Sequence, residues 1–276
     1  QTRICVLVFL GIARLPLSSR ARHSVPMADV AAGDRAGRPV PVCLFAKPPR
    51  PGRAKTRLAA KIGNDGACRL ATAFISDSLR CVRQFAWALP VLATTEDGIP
   101  ADAFPLEAFP PGVSPESVPR WLQPEGDLGE KLEGIVRRGL EEEGAEVVIA
   151  IGADSPGRPV ERFETILRLL SGPAAEDVVI APTADGGYDA IGLRRCPPGL
   201  FADITWSAPT TLEETVRQFS ARGMKVTVLE DKWWDVDEVQ DLELLRGLLD
   251  SEGGRERAPA TAAALEEVGL RAPAQA

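Results

Sequence analysis

The sequence predicts an α/β protein, a three-layer α/β/α fold with a mixed, mostly parallel sheet. From residue 40 to residue 250, short apolar runs alternate with segments of helical periodicity, the pattern of strands connected by helices. Two of the runs, VPVCLF at 40–45 and EVVIAI at 146–151, are almost continuously apolar, as expected for strands covered on both faces. The chain of 276 residues, 45% of them hydrophobic, is long enough to bury a large core.

The elements follow one another along this central region. The apolar runs predict strands at 40–45, 88–93, 146–151, 177–181, 188–193 and 225–229. Helical spacing predicts helices at 65–85, from 127 onward, and at 160–171, 209–221 and 237–249. Asp127 and Glu130 form a capping box, and Ser207 is expected to cap a helix that starts near Pro209. Residues 96–118 hold many prolines and are interpreted as a surface loop.

The two ends differ in composition from the single domain predicted for 39–250. Residues 1–38 are expected to be a leader or an upstream translated segment without stable structure. Arg3 and the apolar run 4–12 imitate a signal peptide, but translation from Met27 is favoured because the remainder has no features of a secreted protein. Residues 251–276 are rich in Ala, Gly and Pro and are predicted to form a flexible tail with one short helix near 260–270.

Composition excludes several function classes. A net charge of −7 argues against a general nucleic-acid or anionic-membrane binder. The one histidine, His23, rules out His-based triads and His-rich zinc sites in the predicted domain. Five cysteines form no C-x-x-C pair and are interpreted as reduced thiols. Since nothing in the sequence forces membrane contact, we expect a cytoplasmic protein.

The loop after the first predicted strand, at 46–58, is strongly basic. It contains five cations and no acid in an otherwise acidic chain. Clustered Lys and Arg side chains favour a polyanionic ligand, and a glycine lets the backbone approach it closely. The alternative is a solvated basic loop, and the pattern is neither a Walker A motif nor G-x-G-x-x-G. The candidate phosphate-binding residues are Lys47, Gly52, Arg53, Lys55, Thr56 and Arg57.

Acidic residues follow two later strands. Asp154 comes directly after the run at 146–151, and Asp235 and Asp237 lie in a segment where extended backbone would point both the same way. One or two carboxylates completed by substrate phosphates are what Mg²⁺ prefers, so Asp154 and Asp237 are candidate metal ligands. The alternative is that both residues cap the helices that follow them.

The segment TADGGY at 183–188 is a candidate ligand-binding turn. An aspartate beside paired glycines permits a tight turn against a ligand, so Asp185, Gly186 and Gly187 are candidate ligand-binding residues. The same residues equally predict a plain hairpin turn into the next strand. Trp206 could stack on a base or a sugar, although a core position is the more common role of such a residue.

These segments resemble a bacterial DUF2064-type glycosyltransferase and nucleotidyltransferase family within the nucleotide-diphospho-sugar transferase (GT-A) superfamily. The family pattern FAK-x-P-x-PG-x-x-KTRL is matched at 45–58, and further motifs follow in the family's order over residues 40–247. More distantly, the chain resembles phospholactate guanylyltransferase and the molybdenum-cofactor nucleotidyltransferases. The further motifs are GDLGEKL (126–132), IGADSP (151–156), ADGGYDAIGL (184–193), WSAPTTLEET (206–215) and DVDEVQDL (235–242).

The resemblance implies a GT-A fold, a Mg²⁺- or Mn²⁺-dependent site and a nucleotide donor. It implies that the basic loop holds donor phosphates and that Asp154 ligates the metal with Asp237 as a second ligand. It also implies that Asp185 borders the acceptor together with Gly186 and Gly187. The chain departs from the pattern around the acceptor side, where Ala184, Gly157 and Asp189 replace an acid, an acid and an aromatic residue. The identity of the acceptor is therefore not carried over.

The sequence predicts a metal-dependent nucleotidyltransferase. A small phosphorylated or oxyanion acceptor would attack a nucleoside triphosphate and release pyrophosphate, with Lys47, Lys55, Arg57 and Asp154 as catalytic residues and Mg²⁺ or Mn²⁺ as cofactor. A glycosyltransferase with a nucleotide-sugar donor is the first alternative, and a non-catalytic nucleotide-binding protein is the second. The expected partners are small molecules, without nucleic acid or membrane, and the chain would be a monomer or homodimer.

Overall fold

The computed structural model describes residues 38–269, and its centre is a seven-stranded sheet. The strands are β1 (Val40–Phe45), β2 (Ala88–Thr94), β3 (Arg120–Leu122), β4 (Val148–Gly152), β5 (Val178–Pro182), β6 (Tyr188–Leu193) and β7 (Val226–Val228). Their spatial order is β3-β2-β1-β4-β6-β5-β7. Among the strands of residues 38–269, only β6 runs antiparallel to its neighbours, so the sheet is mixed and mostly parallel.

Helices cover both faces of this sheet. They are α1 (Thr56–Val82), α2 (Leu128–Arg137), α3 (Glu161–Leu169), α4 (Thr211–Ala221), α5 (Asp241–Asp250), α6 (Gly254–Arg257) and α7 (Pro259–Glu267). Helices α1 and α3 pack on one face, and α2 and α4 pack on the other. The predicted three-layer α/β/α class is confirmed.

The burial of strand β1 on both faces explains why its sequence is apolar without alternation. Val42 and Leu44 lie in the core under α1 and α3, whereas Cys43 faces the opposite core under α2 and α4. All three are buried, so polar residues have no place on either side of the strand. Complete burial of such side chains contributes about 1.5–3 kcal/mol each, which makes this strand a strong determinant of the fold.

Three predicted features differ from the structure. Helix α1 begins at Thr56 instead of 65, with non-helical backbone at Gly63. Residues 96–118 form short 3₁₀ turns, and Phe104 and Phe109 are buried in the core, so the segment is more than a surface loop. Ser207 does not cap a helix, because it adopts a positive φ of 57° and α4 begins only at Thr211.

The C-terminal segment is also better ordered than predicted. Helix α7 confirms the expected short helix, but it packs against α1 together with α5 and α6, so the flexible-tail prediction is wrong for residues 254–267. Leu265 and Ala262 are buried against this side of α1. The two oxygens of buried Asp77, on α1, accept hydrogen bonds from the first N–H groups of α7. The sequence signal was missed because alanine-rich composition resembles that of a disordered tail.

Several predictions concern residues on either side of the described region. Residues 1–37 of the proposed leader, which include Cys5, His23 and Met27, lie outside residues 38–269, as do the last seven residues. Within that range the other four cysteines are free thiols, as predicted. No helix of the described residues is long and apolar enough to cross a membrane.

Candidate active site

A cleft of about 1200 Å³ opens at the carboxyl ends of β1, β4 and β5, where antiparallel β6 contributes its first residue. Loops that leave neighbouring parallel strands at this edge meet there, which is where α/β proteins bind ligands. The cleft is lined by every site residue predicted from the sequence except Gly52 and Gly186. The residues that line it are Lys47, Arg53, Lys55, Thr56, Arg57, Asp154, Asp185, Gly187, Trp206 and Asp237.

Lys55 occupies the floor of this cleft. It precedes α1 in the left-handed conformation, with φ 45° and ψ 50°, and its side chain is only 7% exposed. Its Nζ lies 2.7 Å from Oδ1 of Asp154 and 2.7 Å from Oδ1 of Asp237. Burial alone would lower the pKa of Lys55, but the two carboxylates outweigh it and the pKa is raised. The ammonium is therefore charged at neutral pH and positioned by two loops.

Asp154 and Asp237 do not serve as helix caps. Val160 and Gln240 stand at the cap positions of α3 and α5, and neither position has a side-chain cap. At α5 it is Asp241 whose carboxylate accepts from the backbone, including the N–H of Asp237 at 2.9 Å. The capping alternative is therefore wrong for both residues, and their side chains are directed to Lys55.

The loops that carry these aspartates are joined to each other. The N–H of Val236 donates to the carbonyl of Asp154 at 2.9 Å, and the hydroxyl of Ser155 donates to the carboxylate of Asp235. Burial raises the pKa of Asp235 to about 6, although the Ser155 hydrogen bond opposes the rise. Asp235 thus lies in the cleft wall as a half-buried acid that links one loop to the other.

The carboxylates fit a divalent cation. Both Oδ1 atoms contact the same Nζ atom, so they lie no farther apart than twice 2.7 Å. The side chains are about half exposed, at 48% and 53%, which leaves room for water and substrate oxygens. Mg²⁺ is commonly held by one or two carboxylates with substrate phosphates completing its shell. No cluster of three or more acidic, Cys or His side chains suited to a metal exists within residues 38–269.

The other cations of the basic loop lie around the cleft rim. Arg57 is exposed and pairs with Glu238 at 3.1 Å, while Arg50 faces Asp97 at 3.7 Å. These exposed pairs are weak, so both guanidinium groups can exchange partners for a phosphate. Gly52 has a φ of 75° in the turn that precedes Arg53. It shapes the loop and does not line the cleft, contrary to its predicted approach to the ligand.

The predicted acceptor side combines the two interpretations of the Asp-Gly-Gly segment. It is a hairpin turn between β5 and β6, in which Oδ1 of Asp185 accepts from Thr183 Oγ1 at 2.5 Å and from the Gly187 N–H at 3.1 Å. Asp185 nevertheless lines the cleft. Gly186 has a φ of 91°, and a Cβ there would lie 2.1 Å from the carbonyl oxygen of Pro209. Gly186 is therefore required for loop packing.

Trp206 closes this side of the cleft and also belongs to the core. Its ring meets Tyr188 edge to face at 6.3 Å and lies 6.3 Å from Phe201. The indole is half-buried and still lines the cleft. Both roles weighed for it from the sequence are therefore structurally available.

Three charged residues beneath the cleft have no role predicted from the sequence, which notes Asp189 only as a departure from the family pattern: Arg158, Arg162 and Asp189. All three side chains are almost completely buried. Charged residues are normally exposed, so nothing in the local pattern indicated burial. Their partners come from four separate segments of the chain, and only the fold brings them together.

A protein family described as "Uncharacterized protein conserved in bacteria (DUF2064)" matches residues 79–208. This match confirms the resemblance drawn from the motifs. It includes Asp154 and Asp185 but not the basic loop or Asp237. None of the proteins with curated functions matches this chain.

Solved structures share the fold. A "putative nucleotide-diphospho-sugar transferase" from Desulfovibrio desulfuricans G20 has a TM-score of 0.72 and 28% identity, covering 84% of this chain and 95% of that chain. A 4-diphosphocytidyl-2C-methyl-D-erythritol synthase has a TM-score of 0.50 and 16% identity, covering 77% and 99% of the two chains. A cytidylyltransferase from Leptospira borgpetersenii serovar Hardjo-bovis (strain JB197) has a TM-score of 0.50 and 11% identity, covering 86% and 98%.

Proposed function

We propose that this chain is a transferase that acts on a nucleotide, specifically a metal-dependent nucleotidyltransferase. The observation that carries the proposal is the meeting of Lys55, Asp154 and Asp237 on the floor of a cleft whose rim carries the other cations of the basic loop. The buried ammonium is suited to bind the negatively charged phosphates of a metal–triphosphate complex, and the two carboxylates are suited to bind its metal.

The reaction would be a displacement at phosphorus. An oxygen of the acceptor attacks the α-phosphorus of a nucleoside triphosphate, a new P–O bond forms, and the bond from the α-phosphorus to the bridging oxygen breaks. The electron pair leaves with pyrophosphate. Lys55 would donate to phosphate oxygens at the reaction centre, while Lys47, Arg53 and Arg57 would bind the outer phosphates from the rim. Asp185 would contact the acceptor at the opposite wall.

Asp154 and Asp237 are the residues that would hold Mg²⁺ or Mn²⁺. When bound, such a cation offsets negative charge on phosphate oxygens. In the structure Lys55 Nζ contacts both carboxylates. A metal at this position therefore requires Lys55 to exchange its carboxylate partners for phosphate, so that one residue serves both states of the site.

A glycosyltransferase that uses a nucleotide-sugar donor is the second candidate. It is favoured by the likeness to the D. desulfuricans protein, whose description is "putative nucleotide-diphospho-sugar transferase". The same aspartates and cations could hold a diphosphate. Five cations in the basic loop fit the larger charge of a triphosphate better, which ranks this candidate second.

Calorimetric titration with a ligand panel tests the proposal. The panel contains the four ribonucleoside triphosphates and common nucleotide-sugars, each with Mg²⁺ and with EDTA. We expect metal-dependent binding of one triphosphate that is lost in Lys55→Ala and Asp154→Ala. Lys61→Ala and Asp65→Ala are matched controls, because both residues are exposed on α1 and do not line the cleft.

Each result of this titration has a distinct meaning. Preferential binding of a nucleotide-sugar would replace nucleotidyl transfer with glycosyl transfer. Binding that survives Asp154→Ala and does not require metal would instead favour a non-catalytic nucleotide-binding protein. Absence of binding across the whole panel would contradict the assignment of the site.

A further inference from the structure

A buried carboxylate, Asp189, lies between two buried arginines beneath the cleft. Its side chain is 0% exposed, with Arg158 Nη1 at 3.3 Å from Oδ2 and Arg162 Nη2 at 3.0 Å from Oδ1. Replacing buried ion clusters by apolar residues is often neutral or stabilising, because desolvation of the charges offsets their attraction. A contribution to stability therefore does not explain why three charged residues are buried here, whereas the hydrogen bonds of the two arginines do suggest a role.

Arg158 uses its remaining donors on the loop that carries Asp154. Its Nη2 donates to the carbonyl of Gly152 at 2.5 Å, and its Nε donates to the carbonyl of Ser155 at 3.3 Å. These carbonyls stand on either side of Asp154. A single planar guanidinium therefore fixes the backbone before and after the candidate metal ligand, while Nη1 binds the Asp189 carbonyl at 3.2 Å.

Arg162 contacts the same carboxylate but holds different segments. Its Nη2 donates to the carbonyl of Pro182 at 3.2 Å, and its Nη1 donates to the carbonyl of Asp231 at 2.8 Å and also pairs with the Asp231 carboxylate. Pro182 ends β5, where the turn with Asp185 begins. The two arginines thus share one carboxylate and differ in the loop that each supports.

We propose that Arg158 is the positioning residue for Asp154. Arg158 does not line the cleft, so it acts through the backbone of residues 152–155 and not by touching a ligand. The Asp189 carboxylate, 3.3 Å from Nη1, places an opposite charge beside the buried guanidinium and helps to orient it. The inference rests on the proposed function in one respect only, namely that Asp154 binds a divalent cation.

The substitution Arg158→Lys tests this positioning role most directly. Arg158→Lys keeps the positive charge beside Asp189, but an ammonium lacks the planar fork that spans the two carbonyls. Arg162→Lys is the matched control, since it makes the same change on the other side of the same carboxylate. Arg158→Gln is made in parallel, because it tests the same contacts without a buried ammonium if Arg158→Lys does not fold.

Two readouts are measured on the whole chain. The first is hydrogen exchange of backbone amides without ligand: we expect Arg158→Lys to accelerate exchange in 152–156, and Arg162→Lys to accelerate it in 183–187. The second is the affinity for Mn²⁺ alone, from the free-ion electron paramagnetic resonance signal. Loss of a residue that supports a metal ligand typically weakens metal binding about 10- to 100-fold. We expect this loss of Mn²⁺ affinity for Arg158→Lys and unchanged Mn²⁺ affinity for Arg162→Lys.

The outcomes separate this inference from the proposed function. Equal effects of the two lysine variants on Mn²⁺ affinity and on exchange in 152–156 would overturn the positioning role. A lower melting temperature of Arg158→Lys with unchanged exchange in 152–156 would also overturn it. If the wild-type chain binds no Mn²⁺ without triphosphate, hydrogen exchange alone decides the inference: selective acceleration at 152–156 in Arg158→Lys supports it, and no acceleration there overturns it. The metal-dependent function fails only if the wild-type chain also shows no metal-dependent nucleotide binding in the calorimetric titration.

Discussion

Replacing Lys55 by methionine should have opposite effects in the absence and presence of a divalent metal. The substitution keeps an apolar stem in the buried position and removes the charge that lies 2.7 Å from each of two aspartates. A pair of unit charges about 4 Å apart at an effective dielectric constant of about 20 attracts by about 4 kcal/mol. Because both carboxylates are half exposed, solvent screening reduces the expected net loss to about 1–2 kcal/mol.

Thermal unfolding measures this loss. For a domain of this size, 1 kcal/mol corresponds to about 2–4 °C, so Lys55→Met should lower the melting temperature by about 2–8 °C in EDTA. Mg²⁺ or Mn²⁺ should then raise the melting temperature of the variant more than that of the wild type. In the variant the cation no longer competes with an ammonium for Asp154 and Asp237, so it binds more tightly. A ligand that binds only the folded protein stabilises the folded state by an amount that rises with its affinity.

The control for this experiment is Lys61→Met, on the exposed side of α1, which should melt like the wild type in both buffers. The reasoning is refuted if Lys55→Met melts like the wild type in EDTA. It is equally refuted if the metal shifts the variant and the wild type by the same amount, because Asp154 and Asp237 would then not be the site at which the cation binds.

Three further predictions concern the stability of the folded chain. Burial raises the pKa of Asp235 to about 6 from 3.8, so its folded form binds a proton more tightly and the free energy of unfolding falls as pH rises through this window. Asp235→Asn should remove up to about 3 kcal/mol of that fall in urea titrations across the window, and an identical pH profile would contradict it. Asp77→Ala leaves two backbone N–H groups at the start of α7 without their acceptor, which should lower the free energy of unfolding in urea by about 1–3 kcal/mol. An unchanged unfolding midpoint would argue against the docking of α7 on α1. Gly186→Ala places a Cβ 2.1 Å from the Pro209 oxygen and should lower the free energy of unfolding more than the control Gly172→Ala does. Gly172 has nearly the same positive φ but nothing within 4 Å of a Cβ, so equal losses in the two variants would exclude the clash as the cause.

The sequence predicted elements best where burial alone determines composition. Strand β1 has its predicted bounds, because a strand buried on both faces leaves an uninterrupted apolar run. Strand β6 also has its predicted bounds, although Asp189 interrupts its apolar residues. Strand β3 has only three residues, with Trp121 buried and Leu122 exposed, so no periodicity could develop. The start of α1 was obscured by the glycine at 63, where the backbone leaves the helical conformation.

The candidate site was predictable as a set of residues but not as an arrangement. Strand ends identified Asp154 and the basic loop, since loops after parallel strands meet at one edge of the sheet. The choice of Lys55 as the partner of Asp154 and Asp237 depends on its left-handed backbone and on a loop 182 residues away. The support of Asp154 by Arg158 likewise depends on a carboxylate, Asp189, that belongs to a different strand. Such tertiary contacts have no signal in local composition.

A crystal structure with Mn²⁺ and the triphosphate selected by calorimetry tests the central claim most directly. Anomalous scattering locates the metal independently of the phosphate positions. We expect Mn²⁺ between the carboxylates of Asp154 and Asp237, with Lys55 Nζ on a phosphate oxygen and the α-phosphorus facing Asp185 across the cleft. Mn²⁺ at another site, or a triphosphate bound outside this cleft while Lys55 keeps both aspartates, would contradict the proposed site.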